Sequence, residues 1–347
     1  MPETSRPVTT YDPAAVQGHL HSAAAVVHYG DPAAEYAALT RGKAIVALDG
    51  WTQVELTGQD RVQLLSNLST NDIKSLQPGQ SRESLLLNVK GHILAQVCVS
   101  AGPDKLRLLT VPGQAERVIN QLDRYIIRED VQLADQTGLR TALLVAGVTA
   151  EELAPKLAER ALAAGDCDIL SPPELPAGSP PAVYWLGNTS LLLTVAQDAA
   201  AVAWQTLVEL GCRPCGMQPL DQARVEARMP WYGVDATDEN LPQELARDAA
   251  AISFTKGCYL GQETVARIDA LGHVNKTLAV VRFSGDELPT AGTTFSADGK
   301  EIGRVTSAVR SPQFAAPLAM AYLRRGHQVP GTELSSSSGP AVVVDVP

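Results

Sequence analysis

Apolar and polar residues change period several times along the chain, and each change predicts an element. Pro32 to Leu39 reads as a short helix, with Asp31 as its N-cap and Pro32 at the first position, where a missing N–H costs nothing. Trp51 to Leu56 alternates imperfectly as a strand and stops at Thr57-Gly58. Asp60 then caps a helix whose apolar positions are Val62, Leu64, Leu65 and Leu68. Ser84 to Val99 predicts a hairpin, with Leu85 to Val89 and Ile93 to Val99 joined at Lys90-Gly91-His92, and Leu106 to Val111 adds a further strand. Helical spacing returns in Ala115 to Tyr125 and in Thr149 to Ala164, where Thr149 stands ahead of Glu151 and Glu152 as a start signal. Ser171 to Pro181 is a Pro-rich loop, Leu191 to Val195 a buried strand, and Ala199 to Leu210 a helix closed by Gly211.

From Lys276 the rhythm becomes one of short strands, Leu278 to Phe283, Gly292 to Phe295, Ile302 to Val309 and Leu318 to Tyr322, broken by Gly, Pro and Asp. That spacing predicts a small C-terminal β-barrel or sandwich. The middle is mixed α and β, and 347 residues exceed what one core usually organises, so two or three domains are expected. Composition supports a globular chain, with 45% hydrophobic and 19% charged residues. Lys and Arg number 28 against 38 Asp and Glu, and a net charge of -10 disfavours broad binding to nucleic acid or anionic membrane. Met1 to Tyr11 lacks the apolar core of a signal peptide, and no apolar stretch approaches the ~20 residues that span a bilayer, so a cytoplasmic location is expected. Five cysteines, odd in number and irregularly spaced, fit reduced thiols better than a disulfide framework.

The densest cluster of special residues is Lys256-Gly257-Cys258-Tyr259-Leu260-Gly261-Gln262-Glu263, followed by Ala266-Arg267. Gly257 and Gly261 allow a tight turn that keeps the Cys258 thiol uncrowded. Lys256 and Arg267 can set positive charge near it, which favours thiolate. On the residues alone, Cys258 is equally a small buried filler in a glycine turn. Cys212-Arg213-Pro214-Cys215 is a lone Cys-x-x-Cys after a helix-ending glycine and cannot complete a four-ligand zinc site. The six histidines show no metal spacing with carboxylates, so no metal site is expected.

The 256–263 motif with its Ala-Arg continuation resembles the signature of the YgfZ-type folate-binding proteins, within the superfamily of the glycine-cleavage T-protein, an aminomethyltransferase that uses tetrahydrofolate. Gly58-Gln59-Asp60 with Ser69-Thr70-Asn71-Asp72, the Asn88-Val89-Lys90-Gly91-His92 hairpin, and Asp221 to Glu226 followed by Met229-Pro230-Trp231-Tyr232-Gly233 resemble further segments of that superfamily. The resemblance implies an α+β, aminomethyltransferase-like folate-binding fold with a small C-terminal β-barrel. It implies a discontinuous body of residues 1–43 and 110–275, an inserted folate-site domain at 44–109, and a barrel at 276–347. It also implies a tetrahydrofolate cofactor in a cavity lined by Asn71, Asn88, Arg224, Glu226 and Trp231, with Arg224 meeting either the folate's glutamate tail or Glu226.

Two departures change what this resemblance predicts. The T-protein hairpin continues into a paired Asp-Asp, where this chain has Ala95-Gln96, and neither side chain can act as an acid or base near neutral pH. The family's Gly-Glu-Asp-Gly segment becomes Gly187-Asn188-Thr189-Ser190, without the carboxylate that meets the pterin. The expected function is an accessory one, in which a folate-binding protein assists iron-sulfur client enzymes or assembly proteins, including those that modify tRNA, through Cys258. A folate-dependent aminomethyltransferase or demethylase is the alternative.

Overall fold

The computed structural model describes residues 26–160, 162, 167–171 and 190–346. The Pro-rich loop expected at 171–181 and the Asn188 position fall almost wholly outside them.

Two five-stranded sheets and a closed six-stranded barrel make up the strand framework. The first sheet runs in the order Arg213–Cys215, Ala44–Leu48, Arg140–Ala146, Ser190–Ala196, Cys167–Leu170. Its central strands read AIVAL, RTALLVA and SLLLTVA, apolar at nearly every position because both faces are covered. Val46, Leu48, Ala142 and Leu144 point to one core, while their sequence neighbours Ile45, Leu143 and Val145 point to another, shared with Leu153 and Leu157 of helix Ala150–Glu159 and with Trp204 of helix Ala200–Glu209. Thr149 caps the first of these helices through a reciprocal pair with Glu152, as its sequence predicts.

The second sheet is antiparallel throughout, in the order Ser81–Leu87, Ile93–Ala101, Lys105–Thr110, Thr52–Thr57, Gln132–Asp135. One face carries Leu85, Leu87, Cys98 and Leu109 into the core it shares with the first sheet; the other packs Val97, Val99 and Leu108 on helices Arg61–Leu68 and Ala115–Asp123. The molecule is thus layered helix, sheet, sheet, helix. Strand Ala44–Leu48 sits in the first sheet, and the second recruits 132–135 from beyond the expected 44–109 segment, because the edge strand pairs with Thr52–Thr57 across a long sequence gap. Asp60 also departs from expectation: its carboxylate accepts from the Asp130 N–H at 2.8 Å and makes no cap bond within its own helix.

The barrel closes by pairing Lys276–Phe283 with both Ala316–Arg324 and Gly339–Val344. Phe283, Phe295 and Leu323 fill its interior, and Leu278, Val280 and Met320 on its outer face pack against Val225 of helix Met217–Glu226. No helix among the described residues is long and apolar enough to cross a membrane.

Polar groups fix the barrel on the body. A register shift between Val305 and Ser307 allows the consecutive Thr306 and Ser307 hydroxyls to reach one carboxylate, which strict alternation would forbid. Both donate to Asp235 Oδ1 at 2.6 Å, while Asp235 Oδ2 accepts from Arg224 at 2.7 Å and from the Trp231 N–H at 3.1 Å. Nearby, Glu226 accepts from Tyr36 at 2.5 Å, from the Ser311 hydroxyl and from the Gln313 N–H. The Asp235 side chain is fully buried, so removing it leaves Arg224 with the partly exposed Asp221 as its remaining carboxylate and takes an acceptor from two hydroxyls. We expect Asp235→Ala to lose about 3–5 kcal/mol of stability. Denaturant unfolding checks this, with Arg304→Ala, which breaks an exposed pair with Glu301, shifting stability by no more than about 0.5 kcal/mol.

Candidate functional site

The loop bearing Cys258 is built by its attachment to the second sheet. Arg247 donates through Nε and one terminal nitrogen to the two oxygens of Glu83, at 2.7 and 2.6 Å, and neither side chain is more than 1% exposed. Gln96 donates to the same carboxylate at 3.0 Å. The Asn71 amide donates to the carbonyls of Glu83 and Ala250, both at 2.8 Å, and the Thr70 hydroxyl donates to the Ala251 carbonyl at 2.6 Å. Residues 247–253 are thereby stitched to the hairpin strand and to the segment after helix Arg61–Leu68.

Lys256 continues the stitching. Its ammonium donates to the carbonyls of Ser66, Ser69 and Asn71 at 2.6, 2.7 and 2.8 Å and lies 5.1 Å from the centre of the Tyr259 ring. Burial pushes its pKa down to about 8, with the Asp72 charge opposing. Lys256 and Cys258 line a common open cavity of about 340 Å³ with Gln63, Asn67 and Asp72, but the lysine's charge is held by carbonyl oxygens and not by the thiol. Arg267 is exposed on helix Gln262–Leu271 and does not line that cavity. The electropositive pair expected around the thiol therefore does not form as the spacing suggests.

The two motif glycines have unequal tasks. Gly261 takes φ +80° at the start of helix Gln262–Leu271, and a Cβ there would sit 2.7 Å from the Asn88 carbonyl oxygen and 3.0 Å from Gly91. Gly91 in turn has φ +83°, and a Cβ on it would meet Thr264 at 2.6 Å. The helix start thus rests directly on the hairpin turn, held also by the Thr264 hydroxyl bond to the Lys90 carbonyl. Asn88 shapes that turn by accepting from the N–H groups of Lys90 and His92. Around Gly257, by contrast, a Cβ meets nothing, so no steric need for glycine exists there, and the neighbouring Cys258 is exposed. Tyr259 is buried in the central core, Gln262 closes the turn by an N–H bond to the Tyr259 carbonyl, and exposed Glu263 places its charge in the first helical turn.

Cys98, Cys212 and Cys215 are buried and Cys167 is half-buried, so Cys258 is the exposed thiol among the described residues. Burial pushes Cys212 and Cys215 up to about 12 and raises Cys98 further. The Cys-x-x-Cys pair is structural, with Cys215 bonded to the Glu35 carbonyl.

The residues expected to line a folate cavity are for the most part committed elsewhere. Arg224 holds Asp235 and Asp221, not Glu226, and lies 4.3 Å from the centre of the Trp231 ring. Glu226 joins Tyr36 to the barrel, and Asn71 spends its amide on backbone carbonyls. Trp231 differs. Its half-buried ring meets Trp51 edge-on at 5.5 Å, and its indole N–H is buried without a partner among the described residues. That orphaned donor beside a flat aromatic face suits a planar heterocycle with ring acceptors, so the fit to a reduced folate rests on Trp231.

Glu83, Arg247 and Asp235 are the site-building residues that the sequence reading missed. Glu83 lies in the polar run Ser81 to Ser84 ahead of the apolar Leu85 to Leu87, so its burial had no local signal, and only the fold shows the partner it demands. The Ala95-Gln96 departure now has a physical setting: Ala95 points into the apolar core behind the sheet, and Gln96 serves Glu83. A second carboxylate at position 96 would face Glu83 with one guanidinium between them.

Comparison with known proteins agrees with this framework. The GCVT N-terminal domain matches residues 24–256, and the glycine cleavage T-protein C-terminal barrel domain matches 276–346. The chain belongs to the glycine-cleavage T-protein family, and the stretch 257–275, with Cys258, lies between the two matches. It is 25% identical to the aminomethyltransferase of a Nostoc species, over 90% of this chain and 86% of that one. With that of Streptomyces avermitilis it shares 26% identity over 92% and 90%. The crystal structure of glycine cleavage system aminomethyltransferase T from Bartonella henselae superposes with a TM-score of 0.79 at 20% identity, covering 93% of this chain and 91% of that one, and bears out the fold.

Two outcomes follow from the geometry. Lys256→Met should cost about 2–4 kcal/mol in unfolding experiments, because three partly buried carbonyls lose a charged donor, and Lys256→Arg should not restore it, since a planar fork does not fit a three-carbonyl cage. Brief alkylation of the native protein, read by peptide mass mapping, should mark Cys258 well before Cys98, Cys212 or Cys215.

Proposed function

We propose that this protein is a tetrahydrofolate-binding accessory factor of the YgfZ type, acting in the cytoplasm, which presents Cys258 to iron-sulfur client enzymes or their assembly proteins, including enzymes that modify tRNA, and does not transfer aminomethyl groups. The observation that carries this reading is the arrangement around Gln96. Where the T-protein hairpin holds paired acids, this chain has an apolar core residue and an amide bound to Glu83, and the Glu83 charge is itself neutralised by Arg247. No carboxylate there is available to take a proton from a reacting amine. Family membership supports a reduced folate as the ligand, and the orphaned Trp231 N–H supplies a contact for it. When bound, the folate would supply a carrier for one-carbon units; the chain's own part is to hold it and to keep an uncrowded soft nucleophile at the surface.

A folate-dependent one-carbon transferase is the second reading, favoured by the aminomethyltransferase relatives that align along most of the chain. One measurement tests the folate binding that both readings share, and two more separate them. Calorimetry with tetrahydrofolate should show binding to the parent, weakened about tenfold in Trp231→Ala, the scale of one lost buried hydrogen bond and its ring contact. Absence of binding to the parent sinks the folate assignment. Aminomethyl transfer from a lipoyl carrier should be undetectable, and steady turnover would establish the transferase instead. In cells lacking the protein, Cys258→Ser should fail to restore iron-sulfur enzyme activity, whereas the Cys212→Ser, Cys215→Ser double variant should restore it; full rescue by Cys258→Ser removes the thiol from the mechanism.

A further inference from the structure

On the barrel side of the body lies a second cavity, of about 460 Å³, bounded by the turn Pro242–Leu245, the C-terminal end of helix Gln262–Leu271, and the barrel residues Arg325 and Gln328. That volume lies in the range of small-molecule sites. Three of its lining residues bring buried side-chain oxygens that have no hydrogen-bond partner among the described residues: Gln243 Oε1, Asp248 Oδ1 and Gln328 Oε1. The Gln243 orientation is fixed, because its Nε2 donates to the Val265 carbonyl at 2.8 Å and leaves Oε1 as the acceptor on a residue only 6% exposed. All three orphaned atoms are acceptors. Native structures pair the large majority of their buried polar side-chain atoms, and three unpaired acceptors around one cavity point to a missing donor.

We propose that this cavity binds a small primary ammonium compound, whose N–H groups donate to Gln243 Oε1, Asp248 Oδ1 and Gln328 Oε1. An ammonium offers three donors and one positive charge, which matches the acceptor set in number and in sign. Asp269 lines the same cavity, and burial followed by the Asp269 charge pushes Asp248 up to about 6, so the pair of carboxylates is short of a cation. Arg325 is exposed at the same cavity, and the His273 Nδ1 is already engaged with the Leu271 carbonyl, so neither neutralises Asp248 from within. A bare metal ion suits the cavity poorly: hard cations draw in six or more oxygens at short range, and no cluster of His, Cys, Asp or Glu able to hold a metal occurs among the described residues. The site is separate from the Cys258 cavity and from Trp231, and the inference does not depend on folate binding.

The test is a ¹H–¹⁵N NMR titration of the full chain with methylammonium, run beside tetramethylammonium, which carries the charge without N–H donors, and beside calcium. Methylammonium should give saturable shifts of the Gln243 side-chain amide and of the backbone N–H groups of Asp248 and of Gly272 to Val274. Tetramethylammonium and calcium should leave them in place. Asp248→Asn should raise the dissociation constant about tenfold or more, the scale of one charge-assisted hydrogen bond. Should that variant not fold, Gln328→Ala, at a half-buried position of the barrel, should weaken binding in the same direction. No saturable shift with methylammonium would mean a water-filled cavity and overturn the proposal. So would an equal response to tetramethylammonium, a response to calcium alone, or parental affinity in the folded variants.

Discussion

A buried charge on Glu83 organises this protein's candidate site. An isolated carboxylate buried within the fold is unsustainable, so the fold must bring a cation to it, and the cation is Arg247, far away in sequence. Meeting that demand fixes the path of residues 247–253 across the hairpin, which places the next segment beside the end of helix Arg61–Leu68. There the carbonyls of Ser66, Ser69 and Asn71 accept the Lys256 ammonium, and the thiol of Cys258 emerges two residues later on the surface. The same carboxylate occupies Gln96, which ties the absence of catalytic acids on the hairpin to the construction of the cysteine loop.

The barrel is governed by a second buried acid. Asp235 and Glu226 gather three hydroxyls of the barrel's long strand, those of Thr306, Ser307 and Ser311, and so orient the barrel against helix Met217–Glu226. Arg224 is absorbed into this joint, although its guanidinium still covers the Trp231 ring. Residues that resemble ligand contacts in the family's pattern are here largely engaged in holding domains together. Trp231, whose buried indole N–H has no partner among the described residues, is left as the group with hydrogen-bonding capacity to spare.

The chain's own local chemistry determined much of this. The Asp31 and Thr149 caps, the hairpin around Gly91, the Leu191 to Val195 strand of the first sheet and the change of rhythm at Lys276 were legible because each depends on neighbours a few residues apart, where backbone geometry and period decide the outcome. The lack of an acid at 95 and 96 was legible in the same way, whereas the exposure of Cys258 was not, since a glycine turn suits a buried thiol equally well. Only the tertiary structure decided which charges meet. Spacing suggested Lys256 and Arg267 for the thiol, and the family resemblance suggested a folate tail or Glu226 for Arg224, but a long side chain takes the partner that satisfies it best in three dimensions. Lys256 therefore went to carbonyls 185 to 190 residues away, Arg224 to Asp235, and Glu83 to Arg247 across 164 residues. Desolvation sets those choices, since a buried charge must find its counter-charge or hydrogen bonds wherever the packed elements happen to bring them, and that location is written in no local pattern.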